Sequence, residues 1–134
     1  MSTRSLQETP RQRNRRLLMA AWDRGMRVQS HWAGRYNVPS ATEAGVLHEV
    51  IVWIDSDFNR HEACSCPNGK THGEVITFNA GTVQAHTNNV RPCSHRLIVR
   101  WHRLSAAEKA ARLAADPELA AAWDGRGQLQ EVAA

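Results

Sequence analysis

Long apolar runs are missing from this chain, and none approaches the roughly 18 residues that a membrane span needs. The opening stretch, MSTRSLQETPRQRNRR, has no apolar core of the kind a secretory signal carries. It is Arg-rich, but Glu8 and the lack of a Ser-rich body set it apart from a transit peptide. Cysteine is scarce: three in 134 residues, an odd number that cannot pair off completely. The chain reads as cytoplasmic, where thiols stay reduced, so clustered cysteines point to a metal or to catalysis before disulfides. No glycine-rich phosphate loop and no internal repeat is found.

What is present fits one soluble globular domain with a modest core: 42% of residues are apolar and 22% charged. The formal charge of +4 is unevenly spread. In residues 1–35, Arg4, Arg11, Arg13, Arg15, Arg16, Arg24, Arg27 and Arg35 face only Glu8 and Asp23, and the remainder is slightly acidic. A basic arm on a near-neutral body suits an anionic partner such as nucleic acid; a solvated basic helix is the plainer reading.

Residues 1–10 read as a disordered arm. A helix follows from Pro10, with Leu17, Leu18, Ala21 and Trp22 on one apolar stripe and Gly25 as its stop. RVQSHWAGRYNV (27–38) reads as one strand broken by Gly34, or two short ones. LHEVIVWID (47–55) is the strongest strand; Asp55, Ser56 and Asp57 turn the chain, and FNRHEACSC (58–66) pairs back. GEVITF and TVQAH around Gly81 form a hairpin at 73–86. After Pro92 the period becomes helical, with Leu97, Ile98, Trp101 and Leu104 on the buried face. Ser105 with Glu108 is a capping box, and Asp116-Pro117 starts a further helix. The fold class is therefore α+β: a small antiparallel sheet with a helix clamped to it by the site described next, flanked by N-terminal and C-terminal helices. Residues 11–104 hold the helix and a core domain at 28–104; 105–134 form a C-terminal helical segment.

The chemistry lies in Cys64-x-Cys66 and, after 26 intervening residues, Cys93-x-His95. Three thiolates and one imidazole are a ligand set for a single tetrahedral, structural Zn²⁺. In extended backbone, residues i and i+2 face one side, so Cys64 and Cys66 share an ion. On a helix the same spacing is about 200° apart, so Cys93 should precede the helix, with Ser94 as N-cap and His95 in the first turn. Arg91 and Arg96 flank this pair and would offset the net negative charge of the loaded site. Three buried cysteines without metal remain the alternative.

This C-x-C…C-x-H pattern resembles the SWIM-type zinc finger, over about residues 28–104. The resemblance rests on the four ligands, the strands before them, Pro67, Pro92, and the apolar helix after His95. It departs in its long spacer with an extra hairpin and in Ser94, where family members often carry a basic residue. It implies a zinc-binding module for DNA or for protein partners, here without a fused ATPase or transposase domain.

His61 is an alternative ligand or a surface residue, and His72 and His86 could face each other across the hairpin. A Cys93–His95 nucleophilic pair is the enzymatic alternative, but metallated thiolate is not a free nucleophile, and the closed ligand set leaves no open position. Arg96, Arg100 and Arg103 form a basic stripe after His95, set apart from the apolar face; with Arg91, Arg13 and Arg16 they are candidate nucleic-acid contacts. The five tryptophans read as mostly core, except Trp32, which lies beside Arg35 and Tyr36 in a cluster suited to base stacking. The reading is binding rather than catalysis. The partner is nucleic acid, DNA foremost, or a protein such as a separately encoded helicase, nuclease or transposase that docks on the Ala-rich helices at 106–123. No membrane is implied.

Overall fold

A computed structural model describes residues 7–40, 42–66, 74–79 and 81–124. Helix α1 spans Pro10–Asp23. Its start is locally encoded: the Thr9 hydroxyl accepts from Gln12 N, the Gln12 side chain accepts from Thr9 N, and Pro10 sits in the first turn, where its missing N–H costs nothing. Gly25, at φ +76°, ends it in the left-handed region. The helix starts at Pro10, as its pattern predicts.

Four strands follow as an antiparallel meander: β1 Ser30–Trp32, β2 Arg35–Pro39, β3 Leu47–Ile54 and β4 Arg60–Cys64, in the order β1-β2-β3-β4. The segment 27–38 is two strands because Ala33 and Gly34, at φ +49° and +80°, make a tight two-residue turn with the hand that suits twisted strands. Gly34 is required there twice over: it holds φ +80°, and a Cβ on it would lie 2.6 Å from the Val52 carbonyl oxygen. Its carbonyl accepts from Val52 N at 2.8 Å.

The alternation of β3 sorts its residues onto two faces. Val50 and Val52 join Tyr36, Val38 and Cys64 on the face that carries the main core. Ile51, Trp53 and Ala63 face the other way, where a hairpin of β5 Glu74–Phe78 and β6 Gly81–Ala85 covers them through Ile76, Phe78 and Ala85. Glu49 fixes the hairpin turn by accepting from Asn79 N (2.8 Å) and Asn79 Nδ2 (2.7 Å). The hairpin rejoins the sheet at a two-way backbone bridge: Cys64 N donates to His86 O, and His86 N to Cys64 O.

Three helices complete the chain: α2 Ser94–Arg103, α3 Ala106–Ala115 and α4 Pro117–Ala122. Ser105 with Glu108 caps α3, and Asp116 caps α4 at Leu119 N. The fold is thus α+β, with helices over one sheet face and the hairpin over the other. Trp22 of α1, Trp101 of α2 and Trp123 pack as a trio with ring centroids 5.0–5.2 Å apart. Truncating a buried tryptophan costs about 3–5 kcal/mol, so this trio is a principal tie between the C-terminal helices and the core. Arg15 adds a polar tie, donating to Asp116 and to Glu118 (2.7 Å). None of the described helices is long and apolar enough to cross a membrane.

Candidate metal centre

Cys64 is the last residue of β4, paired with Val50. Ser65 continues the extended path: its N donates to Glu49 O (3.1 Å) and its hydroxyl accepts from Glu49 N (3.0 Å). That geometry puts Cys66 on the same side as Cys64. Cys93, at φ −74° and ψ 168°, is extended backbone directly before α2, and His95 lies in the first turn, as the spacing requires. The cap itself differs from expectation. Cys93 holds the N-cap position and Ser94 is the first helical residue, so the capping residue has its thiol in the cluster and makes no side-chain cap bond.

All four side chains are buried, and their ligand atoms lie within 4.8 Å of one another. None of the cysteines is in a disulfide. Burial pushes the Cys64 thiol well above its ordinary range, reinforced by hydrogen bonding with Cys66 and Cys93; burial likewise pushes Cys93 up to about 12. Three thiolates would not form so close together without a cation between them. His95 gives a second, independent sign. Both of its ring nitrogens are buried and, among the described residues, have no hydrogen-bond partner. An unsatisfied buried polar group costs about 1–3 kcal/mol, and a metal bond would satisfy one of the two nitrogens. The residues present therefore fit a single metal ion held by Cys64, Cys66, Cys93 and His95. His48 packs edge-on against His95 at 4.7 Å, and burial lowers its pKa.

The basic residues are placed differently from the sequence expectation. Arg96 is wholly buried and has no path to a phosphate. Its guanidinium donates to Glu62 Oε1 (2.9 Å), His86 Nδ1 (3.0 Å), Asn88 O (2.8 Å) and Asn89 Oδ1 (2.6 Å). The reason is that the first turns of α2 are covered on nearly all sides, so Arg96, Leu97, Ile98 and Val99 are all buried. Arg100 is half-buried and donates to the same Glu62 oxygen at 2.6 Å. Arg103 is exposed; it donates to the Tyr36 hydroxyl (2.6 Å) and lies over the Tyr36 ring. Arg16 is paired with Glu8. Arg13 is half-buried and donates to Pro92 O at 2.9 Å. Burial lowers its pKa first, and the nearby charge of exposed Arg91 lowers it further.

His61 is no ligand of the cluster: its Nε2 meets Asp55 Oδ2 at 2.6 Å and its ring stacks on Trp53. Asp55 acts as a turn former, accepting from the backbone of Asp57 and Asn59. His86 serves the backbone bridge and Arg96, whereas His72, its expected partner, lies outside the described residues. Sequence reasoning passed over Glu62. A signal existed: it precedes Cys64 by two in a strand and so shares the ligand's face.

No protein-family model, curated protein or solved structure matches the chain in comparison.

Proposed function

We propose that the chain is a SWIM-like zinc module that binds nucleic acid, DNA foremost, with zinc clamping α2 to the end of the sheet. One observation carries the metal reading: four buried ligand atoms within 4.8 Å, one of them on an imidazole with no hydrogen-bond partner among the described residues. Thiolate and imidazole donors in a closed set of four favour zinc in a structural role over a catalytic one. Reduced thiols accord with a cytoplasmic setting.

The nucleic-acid reading rests on cations left outside ion pairs. Arg13 and Arg91 lie near each other beside Pro92, and neither forms an ion pair among the described residues. Arg103 ends α2 and forms no ion pair among the described residues, its contact being the Tyr36 phenol. Arg16 contributes less, because Glu8 neutralises it, and Arg96 and Arg100 are spent on Glu62. Native mass spectrometry should find one zinc per chain, absent in Cys64→Ser. Binding to DNA should weaken steeply with salt, and Arg13→Ala with Arg91→Ala should flatten that dependence by about one phosphate contact each. A zinc-free native protein overturns the first part; salt-independent or absent binding overturns the second.

A protein-adaptor role is the second reading, favoured by α3, which has no buried residue along its ten. A partner lost on deleting residues 105–134 and kept in the Arg13→Ala, Arg91→Ala protein would support it.

A further inference from the structure

Trp32 is 80% exposed, an unusual place for the largest apolar side chain. It sits on edge strand β1, whose three residues are all exposed. Its position is nevertheless firmly set. The turn after it is pinned to Val52 through Gly34. On the opposite face of β1, His31 stacks on Tyr36 (5.6 Å, 27°) and meets His102 at 5.6 Å, while Arg103 holds the Tyr36 hydroxyl.

Register puts Trp32 opposite Arg35, and Arg35 opposite Ile51, so Trp32 and Arg35 share the outer sheet face. Farther along that face stands the stacked pair Trp53–His61, with ring centroids 5.4 Å apart. Arg35 is ion-paired with Glu49 through Nη1 alone, at 3.2 Å, and Glu49 also accepts twice from Asn79, so Arg35 is less fully neutralised than Arg16, which meets Glu8 with two nitrogens. The segment that carries the two residues is basic, with no acidic residue between Asp23 and Glu43, and Glu49 is the carboxylate that reaches Arg35.

We infer that this face is a stacking platform for single-stranded nucleic acid, with a base on Trp32 and the adjoining phosphate at Arg35. The inference rests on the nucleic-acid reading above and adds the strand state. A solvent-facing indole on a fixed strand, beside a guanidinium, fits a ligand that alternates flat rings with negative charge. Bases in a duplex are already stacked on one another and offer no free face, whereas unpaired bases do. The platform also lies on the sheet face away from the helices, so it is separate from the Arg13–Arg91 contact.

The test uses the full zinc-loaded chain and fluorescence anisotropy with a labelled oligothymidylate of about ten nucleotides, against a duplex of equal length. The parent should prefer the single strand. Trp32→Ala should weaken that binding about tenfold with its salt dependence unchanged, and Trp32→Phe should keep most of it. Zinc content and thermal midpoint should not move, since the side chain packs on little. If Trp32→Ala binds as the parent does, or the parent prefers the duplex, the platform is wrong while the Arg13–Arg91 reading stands. If the parent binds neither strand form, both fall.

Discussion

The Nε of Arg96 donates to Oε1 of Glu62 at 2.9 Å, joining the residue after His95 to the residue two before Cys64. The two halves of the metal centre are therefore linked by a buried ion pair as well as by their shared ligand cluster. Replacing Arg96 with Leu leaves Glu62 short of a charge partner and three acceptors at His86, Asn88 and Asn89 unmet. The expected loss is about 3–5 kcal/mol in urea unfolding of the metal-loaded chain. Arg96→Lys should recover only part, since an ammonium lacks the planar fork. A loss below about 1 kcal/mol for Arg96→Leu would mean that the pair is not structural.

Chelation should cost more than either half of that pair. Metal binding in small thiolate sites contributes about 10–16 kcal/mol, comparable with or above the whole stability of an ordinary domain. A strong chelator should therefore abolish cooperative unfolding and remove amide protection from α2. Unchanged hydrogen-exchange protection in 94–103 after verified metal removal would refute the clamp.

Phe58 holds φ +65° with its side chain 88% exposed, at the turn where its N donates to Asp55 O. Left-handed backbone costs a bulky residue about 1–2 kcal/mol, and here no burial offsets it. Phe58→Gly should raise stability by about 0.5–1 kcal/mol after its larger unfolded-state entropy is subtracted. A lowered thermal midpoint would show that the phenyl ring makes a contribution its exposure hides.

Asp116 is held below the ordinary carboxyl range, first by the Arg15 guanidinium and then by the Leu119 amide it caps. A lowered folded pKa means that the stabilisation is complete above the unfolded value near pH 4. It is lost as pH falls through the folded value. Fluorescence of the Trp22–Trp101–Trp123 trio should report α4 loosening below about pH 4. In Asp116→Asn that acid step should shrink, and an identical acid profile would remove Asp116 from the account.

Much of this was legible in the sequence, and for local reasons. The i, i+2 spacing of Cys64 and Cys66, the break at Gly34, and the caps at Ser105 and Asp116 depend on backbone rules that act within a few residues. Arg96 was not legible. A helical wheel built on Leu97, Ile98 and Trp101 assigns it to solvent, and only a carboxylate 34 residues earlier brings it inside. The N-cap departs from local preference for a related reason: Ser94 is the better capping residue by type, but the thiol of Cys93 is needed in the cluster just before the helix. Long-range demands on a side chain override local preference at these two positions, and both lie at the site.

The backbone bridge between Cys64 and His86 has one more consequence. The second hairpin joins the sheet at a donor residue itself, while its inner side, Ile76, Phe78 and Ala85, is held against Ile51, Trp53 and Ala63. Its outer side carries no such duty: Val75, Thr77 and Thr82 are exposed, and none of them belongs to the set of four donors. New surface could therefore be acquired on that outer side without retuning the cluster, provided the inner residues keep their cover.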